Sequence, residues 1–351
     1  MDRKTDRSQT KQNGSWKRPV LIVICIILAV ALVILLAAVG VVNHYLRKID
    51  RAGEADRYTL SAEDQQKLEE QEREEQGDGA TAPVKNENEI TWASDPTALV
   101  GKEENLINIL LIGQDRRPGE GRARSDAMIL CTINKEKKTI TMTSFLRDLY
   151  VQIPGYQDTR MNAAYALGGM ELLDETLMVN FGVHVDANVE VDFEAFQSVV
   201  DVMGGVDISL TEAEANYLNN SNSDWYFTAG LSHLNGEQAL TYSRIRYLDS
   251  DFFRTDRQRN VITSLIENIR GADLDHLLGL VNTLLPMIRT DMTDGQIVRY
   301  AMDLFPILAD CTLESQRIPT DDGFEYATVR GMSVIIPYLD VNRQFLLDTL
   351  S

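Results

Sequence analysis

The pattern of apolar and polar positions divides the chain into three stretches. Val20 to Val42 is a run of 23 residues without a charge. At ~1.5 Å per residue a helix over it reaches about 34 Å, enough to cross a bilayer core of ~30 Å. A single transmembrane helix is therefore predicted at 20–42. Residues 43–92 differ sharply. "EDQQKLEEQEREEQ" (63–76) favours helix but has almost no apolar stripe to bury, and "GDGATAPVKNENE" (77–89) has the composition of a flexible linker. An acidic, solvated spacer is expected there.

The third stretch, 93–351, mixes two periods within one domain. "LINILLI" (106–112), "AMILCTI" (127–133), "TITMTSF" (139–145), "NVEVDF" (188–193) and "VDISL" (206–210) read as strands. The second and third are joined as a hairpin across "NKEKK". "MNAAYALGGMELLDETLMVNFG" predicts one or two helices broken at Gly168-Gly169. "FEAFQSVVDVMGG" predicts an amphipathic helix closed by Gly204-Gly205, and "GEQALTYSRIR" a helix after Asn235-Gly236. Apolar periodicity at 262–269, 277–287 and 296–308 predicts further helices. Interleaved strands and helices imply an α/β fold, a mixed central β-sheet flanked by helices on both faces in an α-β-α sandwich.

Charge adds an orientation. Arg3, Lys4, Arg7, Lys11, Lys17 and Arg18 precede the apolar run, and only Arg47, Lys48 and Arg51 follow it before the acidic stretch. The positive-inside rule makes 1–19 a cytoplasmic tail and puts the C-terminal domain outside the cell membrane. A net charge of -19 opposes binding to phosphodiester backbones, so no nucleic acid partner is expected. Cys25, Cys131 and Cys311 have no metal-binding spacing, and the two outside the membrane run are expected as buried free thiols. The scattered histidines give little support to Ser–His or Cys–His catalysis.

Against this acidic background, "SRIRYLDSDFFRTDRQRN" (243–260) gathers Arg244, Arg246, Arg254, Arg257 and Arg259. On a helix Arg254, Arg257 and Gln258 would share a face, with Asp251 placed to cap it. Planar cations at a helix N-terminus suit phosphate or pyrophosphate. "LLIGQDRRPGEGRARSDAMIL" (110–130) leaves one strand at Asp115 and enters the next at Asp126. Two carboxylates converging at neighbouring strand ends are candidates to hold Mg²⁺. Arg147-Asp148 stands at the end of a third strand, and Arg160 and Asn162 at a helix start. Taken singly, each is an ordinary cap or salt bridge; together they put two acids and at least four arginines at the loop ends of one domain.

The ordered set GQDRR (113–117), RSDAMIL (124–130), SFLRD (144–148), MNAAYALGG (161–169), VDFEAFQSVVDVMGGVDI (191–208), LNGEQALTYSRIR (234–246) and DFFRTDRQRNV (251–261) resembles the LytR-CpsA-Psr family of anchored cell-wall proteins. The resemblance covers residues ~105–270. It implies a phosphotransferase that moves a glycopolymer, such as wall teichoic acid or capsular polysaccharide, from an undecaprenyl-pyrophosphate carrier to a peptidoglycan sugar hydroxyl. Carried over by position, it implies Asp115 and Asp126 as magnesium-linked acids and Arg244, Arg246 and Arg254 as pyrophosphate-binding arginines. Asp251 and Gln258 complete the same pocket. Arg147, with Asp115, would be catalytic. The chain departs from the family at Phe253, where members usually carry glycine. "MELLDETLMVNFGV" and "FEAFQSVVDVM" are candidate walls for a lipid groove. Two other readings stay open: a hydrolase splitting the same pyrophosphate carrier, and a non-catalytic scaffold that binds wall precursors.

Overall fold

A computed structural model describes residues 43–44, 46–52, 65–67, 70, 82–94, 96, 100–114, 122–246, 248, 250–270 and 285–350. The apolar run at 20–42 lies outside them, and among the described residues no helix is long and apolar enough to cross a membrane. The chain divides into two units, Met1–Lys48 and Ile49–Ser351. All that follows concerns the second.

Its strands are β1 (Asp50–Arg51), β2 (Val84–Lys85), β3 (Leu106–Gln114), β4 (Ser125–Asn134), β5 (Thr139–Phe145), β6 (Tyr150–Val151), β7 (Thr159–Arg160), β8 (Ala187–Asp192), β9 (Val206–Leu210), β10 (Gly230–Leu234), β11 (Arg289–Thr290), β12 (Thr312–Ile318), β13 (Phe324–Val329) and β14 (Met332–Pro337). Its helices are α1 (Met161–Phe181), α2 (Phe193–Val202), α3 (Glu212–Ser221), α4 (Gly236–Ser243), α5 (Asp251–Arg270), α6 (Asp294–Leu308) and α7 (Leu339–Leu350). The central sheet runs β1-β11-β8-β3-β4-β5-β12. It is mixed: β3, β4 and β5 are antiparallel to one another, while β8 joins β3 and β12 joins β5 in parallel.

Side chains alternate across each strand, so one sheet presents two apolar faces. Leu110, Met128 and Leu130 pack under α1 and α7. Ile107, Ile109, Ile133 and Val189 pack under Ile297, Tyr300 and Ile307 of α6. This is the expected sandwich. α1 is buried nearly throughout and breaks at Gly169, whose φ of 71° is open to glycine without the strain a side chain would add. A smaller core joins α2, α3, α4 and the antiparallel pair β9–β10 to Val261 of α5.

Two expectations are corrected. The spacer 43–92 is part of the fold at both ends: β1 pairs with β11 and β2 with β13. Trp92 stacks on Tyr150 at 6.0 Å between centroids and donates its indole N–H to Asp158 at 2.8 Å. Its length and acidity hid these short pairings, because two-residue strands leave no period to read. Of the helix expected at 277–287, residues 277–284 lie outside the described residues, and Leu285–Met287 is a single 3₁₀ turn. Residues 312–350, for which the pattern predicts no element, form β12, β13, β14 and α7.

Candidate active site

Asp126 owes its position to a flaw in the sheet. β3 and β4 run in register up to the pair Gly113–Ala127, and the next pair is Gln114–Ser125. Asp126 is the residue left over, a β-bulge, and bulges re-aim the side chains they carry. The strands close tightly beside it, since a Cβ on Gly113 would come within 3.1 Å of the Ala127 Cβ. A buried polar knot holds the adjoining loop. Gln114 and Tyr165 both donate to Glu190, and Gln114 accepts from the Ala123 N–H at 3.1 Å.

Three arginines converge on the bulged residue. Arg147 Nη1 donates to Asp126 Oδ1 at 3.0 Å and Arg246 Nη2 to the same oxygen at 3.3 Å. Arg254 Nη2 reaches the Asp126 carbonyl at 3.3 Å. Burial works against charge on Asp126, yet Arg147, Arg254 and Arg246 outweigh it and hold its pKa below the ordinary value. The group is ionised at neutral pH. Asp251 lies behind, with Oδ1 2.9 Å from Arg254 Nη2 and 3.8 Å from Arg147 Nε. Burial pushes its pKa up, and the nearby Asp148 adds to that push.

α4 ends at Ser243 and α5 begins at Asp251, so Arg244 and Arg246 leave one helix as Arg254 enters the next. Arg244 lies over the Phe193 ring, 4.3 Å from its centroid. The expectation for α5 is corrected in two details. Asp251 is the first helical residue and pairs with Arg254; the Ser250 carbonyl accepts from the Phe253 and Arg254 N–H groups. Arg257 faces away from the other two, bonded to Glu214 at 2.7 Å and to the Ile245 carbonyl at 3.1 Å. Arg259 is also elsewhere, bonded to Ser315, Ser144 and Asp256. An i, i+3 spacing only brackets a face, and a buried carboxylate nearby decided which way Arg257 turned.

The converging residues close one end of a cavity of about 1470 Å³. Arg122, Arg124, Asp126, Arg147, Arg244, Arg246, Arg254 and Gln258 line it together with a long apolar wall. Phe193, Phe196, Val199 and Met203 of α2, Ile262, Leu265 and Ile269 of α5, and Leu304 of α6 contribute to that wall. "FEAFQSVVDVM" is thus a wall of the groove, whereas "MELLDETLMVNFGV" packs in the core across the sheet. Arg254 Nε and Gln258 Oε1 are buried without a hydrogen-bond partner among the described residues. An unmet donor and acceptor beside a cationic cluster suit an anion with hydroxyl or water around it.

Asp115, expected with Asp126 at the metal, lies outside the described residues, one position beyond the end of β3. Arg147, Arg244, Arg246, Asp251, Arg254 and Gln258 are brought together around Asp126. Arg160, whose guanidinium is fully buried, instead donates to the Ser333 carbonyl at 2.7 Å and serves the fold. The supporting set Gln114, Tyr165 and Glu190 was missed. Its one signal was an acidic residue between valines in the middle of a strand.

The LytR_cpsA_psr family profile matches residues 56–338. The polyisoprenyl-teichoic acid–peptidoglycan teichoic acid transferase TagU of Bacillus anthracis (strain CDC 684 / NRRL 3495) is 32% identical over 233 residues, 63% of this chain and 73% of the relative. The corresponding transferase TagT of Bacillus subtilis (strain 168) is 30% identical over 230 residues, 64% and 70% of the two chains. A solved structure of TagT bound to LIIa-WTA superposes with a TM-score of 0.60 at 25% identity, covering 74% of this chain and 99% of that one.

Proposed function

The chain belongs to the LytR_cpsA_psr family, and from that membership we infer that it is a transferase moving a glycopolymer from a polyprenyl-pyrophosphate carrier to peptidoglycan. The observation that carries this reading is the joining of an apolar cavity to the arginine cluster around ionised Asp126. An amphiphile with a long hydrocarbon tail and a diphosphate head matches both ends. The names of the relatives point to a teichoic acid as the polymer.

Transfer of a phosphoryl group asks a protein for positioning and charge neutralisation more than for covalent help. Arg244, Arg246 and Arg254 approach from two consecutive helix ends and bind the diphosphate. Arg147 is held against Asp126 at the strand ends and neutralises charge that builds as the phosphoanhydride bond breaks. Gln258 offers its unmet carbonyl oxygen to a hydroxyl. Asp251 keeps Arg254 and Arg147 oriented. The acceptor hydroxyl displaces the prenyl phosphate, giving a phosphodiester.

The residues also fit Mg²⁺. Asp126 is ionised, lines the cavity and supplies hard oxygens, and Asp115 is the next residue in the chain after β3. Bound by these two acids, magnesium would neutralise part of the diphosphate charge. The apolar run 20–42 is the anchor in this reading, with 1–19 in the cytoplasm and the catalytic domain outside.

The test uses the full chain in detergent with a prenyl-pyrophosphate-linked oligosaccharide, peptidoglycan oligomers and Mg²⁺. A peptidoglycan–oligosaccharide conjugate is the expected product. Free phosphorylated glycan alone would make the protein a hydrolase, and no turnover with retained carrier binding would make it a scaffold.

A further inference from the structure

The apolar wall and the arginine cluster touch where Arg244 lies over the Phe193 ring, 4.3 Å from its centroid. The packing of α2 on α4 sets that contact. Gly236, the first residue of α4, donates its N–H to Asp201 Oδ1 near the end of α2 at 2.7 Å. From Gly236 on to Arg244, and from Asp201 back to Phe193, is eight positions each way, about 12 Å along either helix. The two helices run in opposite directions side by side, so Arg244 leaves α4 level with the first turn of α2. Phe193, Phe196 and Gln197 of α2, and Leu240, Thr241 and Arg244 of α4, recur at helical spacing and line the cavity.

We propose that Phe193 is a positioning residue, whose ring seats the Arg244 guanidinium where the carrier's hydrocarbon gives way to its diphosphate. This rests on the transferase reading. Arg244 is an exposed residue with a long side chain, and an arginine already seated has less rotamer freedom to lose when an anion arrives. A carboxylate could orient it as well, but would occupy N–H donors and repel the anion. Arg257 shows that outcome in the same segment, turned to Glu214. A ring face attracts a cation through its quadrupole, carries no net charge and takes up no N–H donor. Phe193 thus joins the two halves of the site, as the start of the apolar wall on α2 and as the seat of a phosphate-binding cation.

The experiment measures binding of two probes with the same tail, a prenyl pyrophosphate and the corresponding prenyl alcohol, to the detergent-solubilised full chain. Phe193→Leu should raise Kd for the pyrophosphate about three- to ten-fold and leave that for the alcohol nearly unchanged. Phe193→Tyr should bind as the wild type does, and Phe193→Leu should cost nothing further once Arg244→Ala is in place. Phenylalanines with successively more ring fluorines at 193 drain the negative face at nearly constant shape and should raise the pyrophosphate Kd stepwise. Equal losses for both probes would make Phe193 apolar wall alone and overturn the seat, as would a full loss in the Arg244→Ala background. Should Phe193→Leu not fold, the fluorine series decides, a flat response overturning the seat. A wild type with no preference for the pyrophosphate over the alcohol contradicts the carrier reading and the seat with it; a clear preference that Phe193→Leu leaves intact removes the seat alone.

Discussion

Arg254 serves the fold and the proposed substrate at once. Its side chain is 2% exposed and its charge compensates Asp251, while its Nε is unmet at the cavity wall. Arg254→Ala should weaken carrier binding about ten- to a hundred-fold, the loss of one charge-assisted contact. It should also lower the melting temperature, because buried Asp251 loses its nearest cation. Adding Asp251→Asn should recover the melting temperature and not the binding, which calorimetry and a carrier-binding assay would show. Lysine at 254 should recover binding poorly, lacking the planar fork. Arg147→Ala should chiefly lower the single-turnover rate, by a similar factor, with carrier binding less affected. Equal losses of binding in both variants would contradict the division of roles. Asp174 gives a prediction in pH. Burial, with Asp291, Glu171 and Glu175 nearby, pushes its pKa from 3.8 to about 8, against the pull of the Asn188 hydrogen bond. The folded chain thus keeps a proton that the unfolded chain releases above about pH 4. Stability tied to that proton is complete at low pH, declines as pH rises, and is lost above about pH 8. Asp174→Asn should match the wild type near pH 4 and melt higher than it at pH 8, read by thermal unfolding across that range.

Short elements decide how the domain may be cut. Residues 82–92 add β2 to the small sheet, stack Trp92 on Tyr150 and place Glu87 2.9 Å from Arg330. A fragment beginning at 93 should therefore melt several degrees below one beginning at 49, at about 2–4 °C for each kcal/mol lost. Equal melting temperatures would show that the segment contributes nothing. The long strands β3, β4, β5, β8 and β9 were legible because apolar runs between turn residues leave few alternatives. So were α2, α4 and the break in α1, which carry capping residues or glycines. Two-residue strands carry no period, and β12 is polar at most positions because it is an edge, so neither announces itself in sequence. The site followed the same rule. The motifs located Arg147, Arg244, Arg246 and Arg254, whereas the turning of Arg257 to Glu214 depended on α3, a helix distant in sequence.

For the whole molecule, the asymmetry of basic flanks around 20–42 predicts that protease added to intact, wall-stripped cells removes the catalytic domain; full protection would reverse the topology. The acidic surface should keep that domain off anionic lipid, so the cluster around Asp126 is a local inversion of the molecule's field. That inversion hangs on the single surplus residue between Gly113–Ala127 and Gln114–Ser125. Deleting Asp126 would let the two strands zip in uninterrupted register. The result would be a more regular sheet, easier to fold and without the carboxylate that organises the arginines. Regularity of the sheet and service to the arginines thus pull in opposite directions at this one position, and any hardened variant should be sequenced here before its catalysis is judged.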